Sequence, residues 1–195
     1  FDVGRINPAD RYAKRFPDQT PVDGTSMPTL AAVFALARKA GNRTVRFNVE
    51  TKLRPDAPDL TLPPAALARA VISQLRQAGV ADRSTVQSFD WRTLKHVQEV
   101  APSIPTVYLS AQQRWLDNIA EGRPGASPWT AGHDIDDHGG SLPRLVKAAG
   151  GAAWSPYHRE VYKAQIDEAH GLGLQVVVWT VNDVPRMEAL IDMGV

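Results

Sequence analysis

Apolar and polar positions along the chain alternate between two periods, and that alternation predicts a succession of strands and helices. The first 28 residues show neither period. They are rich in Pro, Gly, Asp and Arg and read as a long loop. Thr29 then caps a helix with Leu30, Val33, Phe34 and Ala37 on one face, stopped by Gly41-Asn42. Residues 44–50 are β-rich and predict a strand, and a proline-rich loop (Pro55, Pro58, Pro63, Pro64) leads to a helix over about 65–78, ended by Gly79. The pattern repeats: strand 84–89, helix 91–100, strand 105–109, helix 110–120. An irregular stretch over 121–140 follows. After it come helix 142–149, strand 152–154, helix 159–171, the apolar strand 174–179 and a last helix over 184–193.

Strands and helices alternating at this spacing build right-handed β-α-β units on a parallel sheet. A doubly wound sheet satisfies the same pattern. A barrel is preferred because polar residues gather at the strand C-terminal ends (Glu50 and Lys52; Gln87 and Ser88; Trp179 and Asn182), where (β/α)8 barrels build their sites. Five strands are readable, so the expected fold is an incomplete TIM (β/α)8 barrel lacking its first two strands and its last. Residues 1–195 are expected to form a single partial barrel domain, with the 121–140 stretch as an insertion. The abrupt starts and stops at Phe1 and Val195 read as truncations.

Composition narrows the chemistry. Hydrophobic residues are 43% and charged residues 22% of 195, an ordinary globular balance, and the net charge of +1 gives no field suited to nucleic acid or an anionic membrane. Cysteine is absent, which excludes disulfides and thiolate metal sites. No apolar run reaches the roughly 18 residues of a spanning helix.

Three strand ends carry candidate chemistry. In Asn48-Val49-Glu50-Thr51-Lys52, alternation puts Asn48, Glu50 and Lys52 on one face. A carboxylate suits a divalent cation and an ammonium suits a phosphate; a simple Glu50–Lys52 ion pair is the plain alternative. In Gln87-Ser88-Phe89-Asp90, Phe89 can wall a substrate and Ser88 can donate to an oxyanion, or Phe89 is core and Asp90 caps the next helix. In Trp179-Thr180-Val181-Asn182, Trp179 offers a flat wall for a glycerol backbone, or plugs the barrel mouth while Asn182 caps the final helix. The His133–His138 stretch crowds two His and three Asp together without the offsets of a calcium loop, and reads as a solvated loop rather than a metal site.

Taken together, Asn48–Lys52, Gln87–Asp90 and Trp179–Asn182 resemble the glycerophosphodiester phosphodiesterase family. Asp23-Gly24 with Met27-Pro28-Thr29-Leu30 resembles that family's approach to its third strand, and Phe1–Arg5 and Pro128-Trp129-Thr130 resemble its secreted bacterial branch. The resemblance implies hydrolysis of small-molecule glycerophosphodiesters to glycerol 3-phosphate and an alcohol, in the periplasm or outside the cell, without nucleic-acid or membrane-inserted partners. It implies a divalent cation, calcium or magnesium, held by three carboxylates, and two histidines acting as acid and base. Only the third carboxylate, matching Glu50, and the phosphate-facing lysine, matching Lys52, are expected in this chain. Phe89, Trp179, Asn182 and Ser88 are the implied substrate contacts, and the chain alone is expected to be inactive. The rivals are a non-catalytic barrel binding a polyol phosphate and a related barrel phospholipase acting on intact lipids.

Overall fold

In the computed structural model, which describes residues 1–195, each strand pairs with the next strand of the sheet in chain order. β1 (Phe47–Glu50), β2 (Ser84–Ser88), β3 (Thr106–Ser110), β6 (Ala153–Pro156) and β7 (Gln175–Val176) form one five-stranded parallel sheet in that order. The two short strands between β3 and β6, β4 (Gln112–Gln113) and β5 (Leu116–Asp117), make a separate antiparallel hairpin. A doubly wound sheet reverses its strand order at a switch point. This sheet never reverses, so it is an arc of a (β/α)8 barrel, as the alternation predicts.

The chain divides into two compact units, Phe1–Arg43 and Thr44–Val195. In the first, the Asp2 carboxylate accepts from the amides of Gly4 (2.9 Å) and Gly24 (2.8 Å), which holds its pKa below the ordinary value. Gly24 turns the chain at a φ of +79°, and Gly4 lies so close to Val22 that a Cβ would meet its carbonyl oxygen at 1.8 Å. α1 (Leu30–Lys39) starts where expected, with the Thr29 hydroxyl accepting from Ala32 N. On its predicted apolar face Phe34 is buried, while Val33 is exposed.

The second unit carries the sheet and the helices α2 (Pro64–Gln77), α3 (Trp91–Val100), α4 (Leu142–Ala148), α5 (Lys163–Gly171) and α6 (Val184–Asp192). α2 buries Ala68, Val71, Ile72 and Leu75, spaced three and four apart as one helical face requires. It ends in a Schellman turn: Gly79 takes φ +65°, its amide bonds Arg76 O, and Val80 N bonds Leu75 O at 3.0 Å. One sheet face packs on helices through Val86, Tyr108 and Trp154, all at most 1% exposed. There Trp91 of α3 stacks edge-on against Tyr108 at 4.8 Å, and Tyr108 OH donates to Ala149 O after α4. The other face presents Asn48, Glu50, Thr85 and Gln87 in register, with Asn48 Nδ2 donating to Gln87 Oε1 and Thr85 Oγ1 donating to Asn48 Oδ1.

Residues 110–120 are not helical. Side chains there outbid the helix for backbone groups, which is how Asn and Asp break helices. Asn118 Oδ1 accepts from Ala111 N, and Asp117 Oδ1 accepts from Ile119 N and Ala120 N. The chain therefore folds back as the β4–β5 hairpin.

Candidate active site

The carboxyl ends of the strands open into a cleft of about 930 Å³. Glu50 closes β1, Lys52 lies two residues beyond it, Phe89 follows β2, and Trp179 bridges in parallel to Tyr157 beyond β7. These four sequence-predicted residues line the one cleft. Glu50 and Lys52 project on the exposed side while Thr51 between them is buried, as strand alternation requires. The plain alternative for this pair does not hold: none of the chain's ion pairs contains Glu50 or Lys52.

Two predicted residues are elsewhere. Ser88 is buried on the helix-packed side of the sheet, donating to Thr51 O (2.6 Å) and accepting from Asp90 N (3.0 Å). Both of its hydrogen-bonding roles are internal, so it holds the ends of β1 and β2 together and is corrected from a substrate donor to a brace. Asn182 is exposed outside the cleft lining and does not cap α6, whose N-cap is Asp183. Asp90 caps α3 as expected, accepting from Arg92 N. Its fully buried carboxylate also takes two hydrogen bonds from the Arg92 guanidinium (2.8 and 2.6 Å), which raises the Arg92 pKa.

The cleft also contains residues that periodicity did not mark. Trp115 and Leu116 come from the hairpin, Trp129 from the 121–140 loop, and Arg54 and Asp56 from the loop after β1. Arg54 pairs with Asp56 through two hydrogen bonds (3.0 and 2.6 Å), and the guanidinium holds the Asp56 carboxyl below its ordinary pKa. The least legible residue is Asn118. It is fully buried, and its Nδ2 donates to Phe89 O (3.2 Å) and Leu109 O (3.0 Å), tying the Phe89 strand end to β3. Trp179 is oriented by Nε1 donating to Ser155 O at 3.0 Å and packs edge-on against Phe89 at 5.2 Å.

Glu50 is a hard oxygen donor of the kind calcium and magnesium take. Yet nowhere do three His, Asp or Glu side chains come together as a metal-binding group, and Asp56 is already engaged by Arg54. The donor set of this chain does not by itself fit a divalent ion. The His133–His138 loop is stitched to itself: His138 N bonds Ile135 O, Asp136 N bonds Asp134 Oδ1, and Ile135 is buried beneath it. Burial and the neighbouring His138 lower the His133 pKa.

The cleft lining combines charged groups, Glu50, Lys52 and the paired Arg54 and Asp56, with the aromatic rings of Phe89, Trp115, Trp129 and Trp179. No curated protein sequence matches the chain. Among solved structures it is similar to a candidate glycerophosphoryl diester phosphodiesterase from Silicibacter pomeroyi, at 30% identity and TM-score 0.79 over 100% of this chain and 60% of that one. A glycerophosphodiester phosphodiesterase from Parabacteroides distasonis shares the fold at 21% identity and TM-score 0.61, covering 93% of this chain and 63% of that one. An Oleispira antarctica phosphodiesterase, solved with the product sn-glycerol-3-phosphate, does so at 16% identity and TM-score 0.61, over 86% and 55%. The chain thus spans about 60% of the length of these relatives. The profile of the glycerophosphoryl diester phosphodiesterase family matches residues 3–195, and the chain belongs to that family.

Proposed function

We propose that this chain forms the substrate-binding side of a glycerophosphodiester phosphodiesterase, with Lys52 meeting the phosphoryl group and Trp179 and Phe89 walling the glycerol. The observation that carries the reading is the convergence of Glu50, Lys52, Phe89 and Trp179, from separate strand ends, on one cleft. A phosphodiester is anionic and gains further charge on its phosphoryl oxygens toward the transition state. A fixed ammonium opposite one of those oxygens therefore stabilises the transition state more than the ground state. Lys52 has no internal carboxylate to neutralise it, so its charge is available to a ligand. The Oleispira antarctica relative binds sn-glycerol-3-phosphate, the product such a reaction releases, which supports the same ligand class here.

A calcium or magnesium ion, where one is bound, would supply Lewis-acid stabilisation of the same oxygens. Glu50 would be one of its ligands, and the others would have to come from outside this donor set. No histidine lines the cleft, so proton transfer to the leaving alcohol is assigned no residue of this chain, and the chain alone is expected to be inactive. The resemblance of Phe1–Arg5 and Pro128-Trp129-Thr130 to the family's secreted bacterial branch supports action in the periplasm or outside the cell. The reading is tested by titrating the purified chain with sn-glycerol 3-phosphate and with glycerol, using isothermal calorimetry. Saturable binding of the phosphate but not of glycerol supports it. Equal binding of both, or turnover of glycerophosphocholine by the chain alone, would overturn the assignment of roles.

A further inference from the structure

A second, smaller cavity of about 150 Å³ lies on the helix-packed side of the sheet, outside the cleft. Trp91, Lys95 and Gln98 of α3, Tyr108 of β3, and Ala131 and His133 of the 121–140 stretch line it. The stretch is fixed where it meets α3. Trp91 N donates to Trp129 O (2.8 Å), His133 N donates to Thr130 O (3.1 Å), and the buried Thr130 hydroxyl donates to His133 O. Between Thr130 and His133 the backbone turns through two consecutive left-handed residues, Ala131 at φ +57° and Gly132 at +92°. A residue with a Cβ holds that conformation at a cost, and such outliers gather at functional sites. Ala131 is one of two non-glycine residues in the chain with positive φ, and it forms part of the cavity wall. The polar floor is already satisfied: Tyr108 OH donates to Ala149 O (2.7 Å), and Gln98 Nε2 donates to Tyr108 OH (3.0 Å) and Gly150 O (2.9 Å). Lys95 and His133 are left over, for neither side chain makes a hydrogen bond or ion pair within the chain.

We propose that this cavity binds a small tetrahedral oxyanion, inorganic phosphate or the phosphate end of a monoester, through Lys95 and His133 and apart from the cleft of Lys52. The inference does not depend on the reading of that cleft. No carboxylate lines the cavity, and those nearby in sequence are engaged or turned away. Glu99, one turn beyond Lys95, pairs with His96 (3.0 Å). Asp134 accepts from Asp136 N, Asp136 accepts from Gly122 N, and Asp137 is exposed. The cavity is therefore cationic without an internal counter-ion. Burial first, then His138 and Lys95, hold the His133 pKa below its ordinary value. An unliganded His133 is thus mostly neutral at pH 7 and offers one N–H, while the Lys95 ammonium offers a charge and three. An anion beside the imidazole favours its protonated form and gains a second charge-assisted hydrogen bond. The buried Trp91 and Tyr108 rings exclude water from part of the wall, which strengthens both contacts. At about 30 Å³ per water in the liquid, the cavity holds a few waters or one four-oxygen anion, and is too small to enclose a diester with both its alcohols.

The experiment follows the imidazole C–H signals of the ¹³C-labelled chain at pH 7 and ionic strength held constant with sodium chloride, while inorganic phosphate is added in one arm and sn-glycerol 3-phosphate in another. His133→Gln identifies the His133 signal. The expected result is a saturable shift of that signal, and a His133 titration midpoint that rises at saturating phosphate. Lys95→Met, a change at an exposed side chain, should weaken the binding about fivefold or more. Lys52→Met, in the other cleft, should leave the His133 response as it is. A response to inorganic phosphate assigns the site to the free ion, and a response confined to sn-glycerol 3-phosphate assigns it to the phosphate end of a monoester; either supports the proposal. No saturable shift at His133 in either arm, a response undiminished in Lys95→Met, or one lost in Lys52→Met would overturn it and leave a water-filled cavity.

Discussion

Replacing Lys52 by Met tests the unpaired cation of the cleft most directly, because it removes the ammonium, charge and N–H donors together, and keeps most of the unbranched side chain. Lys52 is exposed and joins none of the chain's ion pairs, so the substitution breaks no internal contact of that kind. Its stability cost should stay within about 0.5 kcal/mol, the range of surface changes away from special features. For a domain of this size that is a shift in Tm of about 1–2 °C. Its effect on an anion should be larger. A unit charge about 4 Å from the ammonium gains about 1 kcal/mol in bulk water and about 4 kcal/mol at an effective dielectric of 20. In the open cleft of the isolated chain the lower figure governs, and Kd for sn-glycerol 3-phosphate should rise about fivefold by calorimetry. In a protein of the relatives' full length carrying this segment, loss of one preorganised donor should lower kcat by about 10²–10³. Arg should rescue only in part, since its planar fork reaches differently from a compact ammonium. An unchanged Kd and kcat, or a Tm lowered by many degrees, would show that Lys52 supports the fold and does not meet the ligand.

Trp179→Ala should raise KM for glycerol-containing diesters more than for bis(p-nitrophenyl) phosphate in the same full-length setting, and equal losses on both would indicate packing alone. Asp90→Ala removes an N-cap together with a buried partner of Arg92, and should cost about 2 kcal/mol in urea unfolding, whereas Arg92→Ala alone should strip the carboxylate of its cation and cost at least as much. Tyr108 is buried against Trp91 and its pKa is pushed up to about 12 by that burial, so the folded chain stays protonated at pH values where the unfolded tyrosine, ordinarily near 10, ionises. Stability present below pH 10 should therefore fall between pH 10 and 12, by on the order of 2–3 kcal/mol, and Tyr108→Phe should flatten that part of the profile; an identical alkaline slope in the variant would assign the loss to other groups.

The elements that periodicity located well are those whose apolar residues repeat on one face and whose ends carry a stop. α3 begins after its Asp90 cap, and α2 ends at Gly79, because cap and stop are local chemistry that one sequence window contains. The places of Glu50, Lys52, Phe89 and Trp179 in the cleft lining were legible for a related reason: a strand's period of two fixes which residues reach the barrel mouth once the barrel is assumed. Ser88 failed on the same rule, since it is one residue out of phase with Gln87 and Phe89 and so faces the helices. The hairpin at 112–117 was missed because its determinant is not periodic. Gln112-Gln113-Arg114-Trp115-Leu116 has adequate helix propensity, and only the bonds that Asn118 and Asp117 make to backbone groups turn it into a hairpin. That omission matters for the shape of the cleft, because the hairpin carries Trp115 into its lining and Glu160, 48 residues further on than Gln112, anchors it. The strand-end residues of the cleft can be read from local pattern. The aromatic cluster of Trp115, Tyr157 and Trp179 is assembled from the hairpin, the β6 end and the β7 end through side-chain bonds to distant backbone, and no window of sequence contains it.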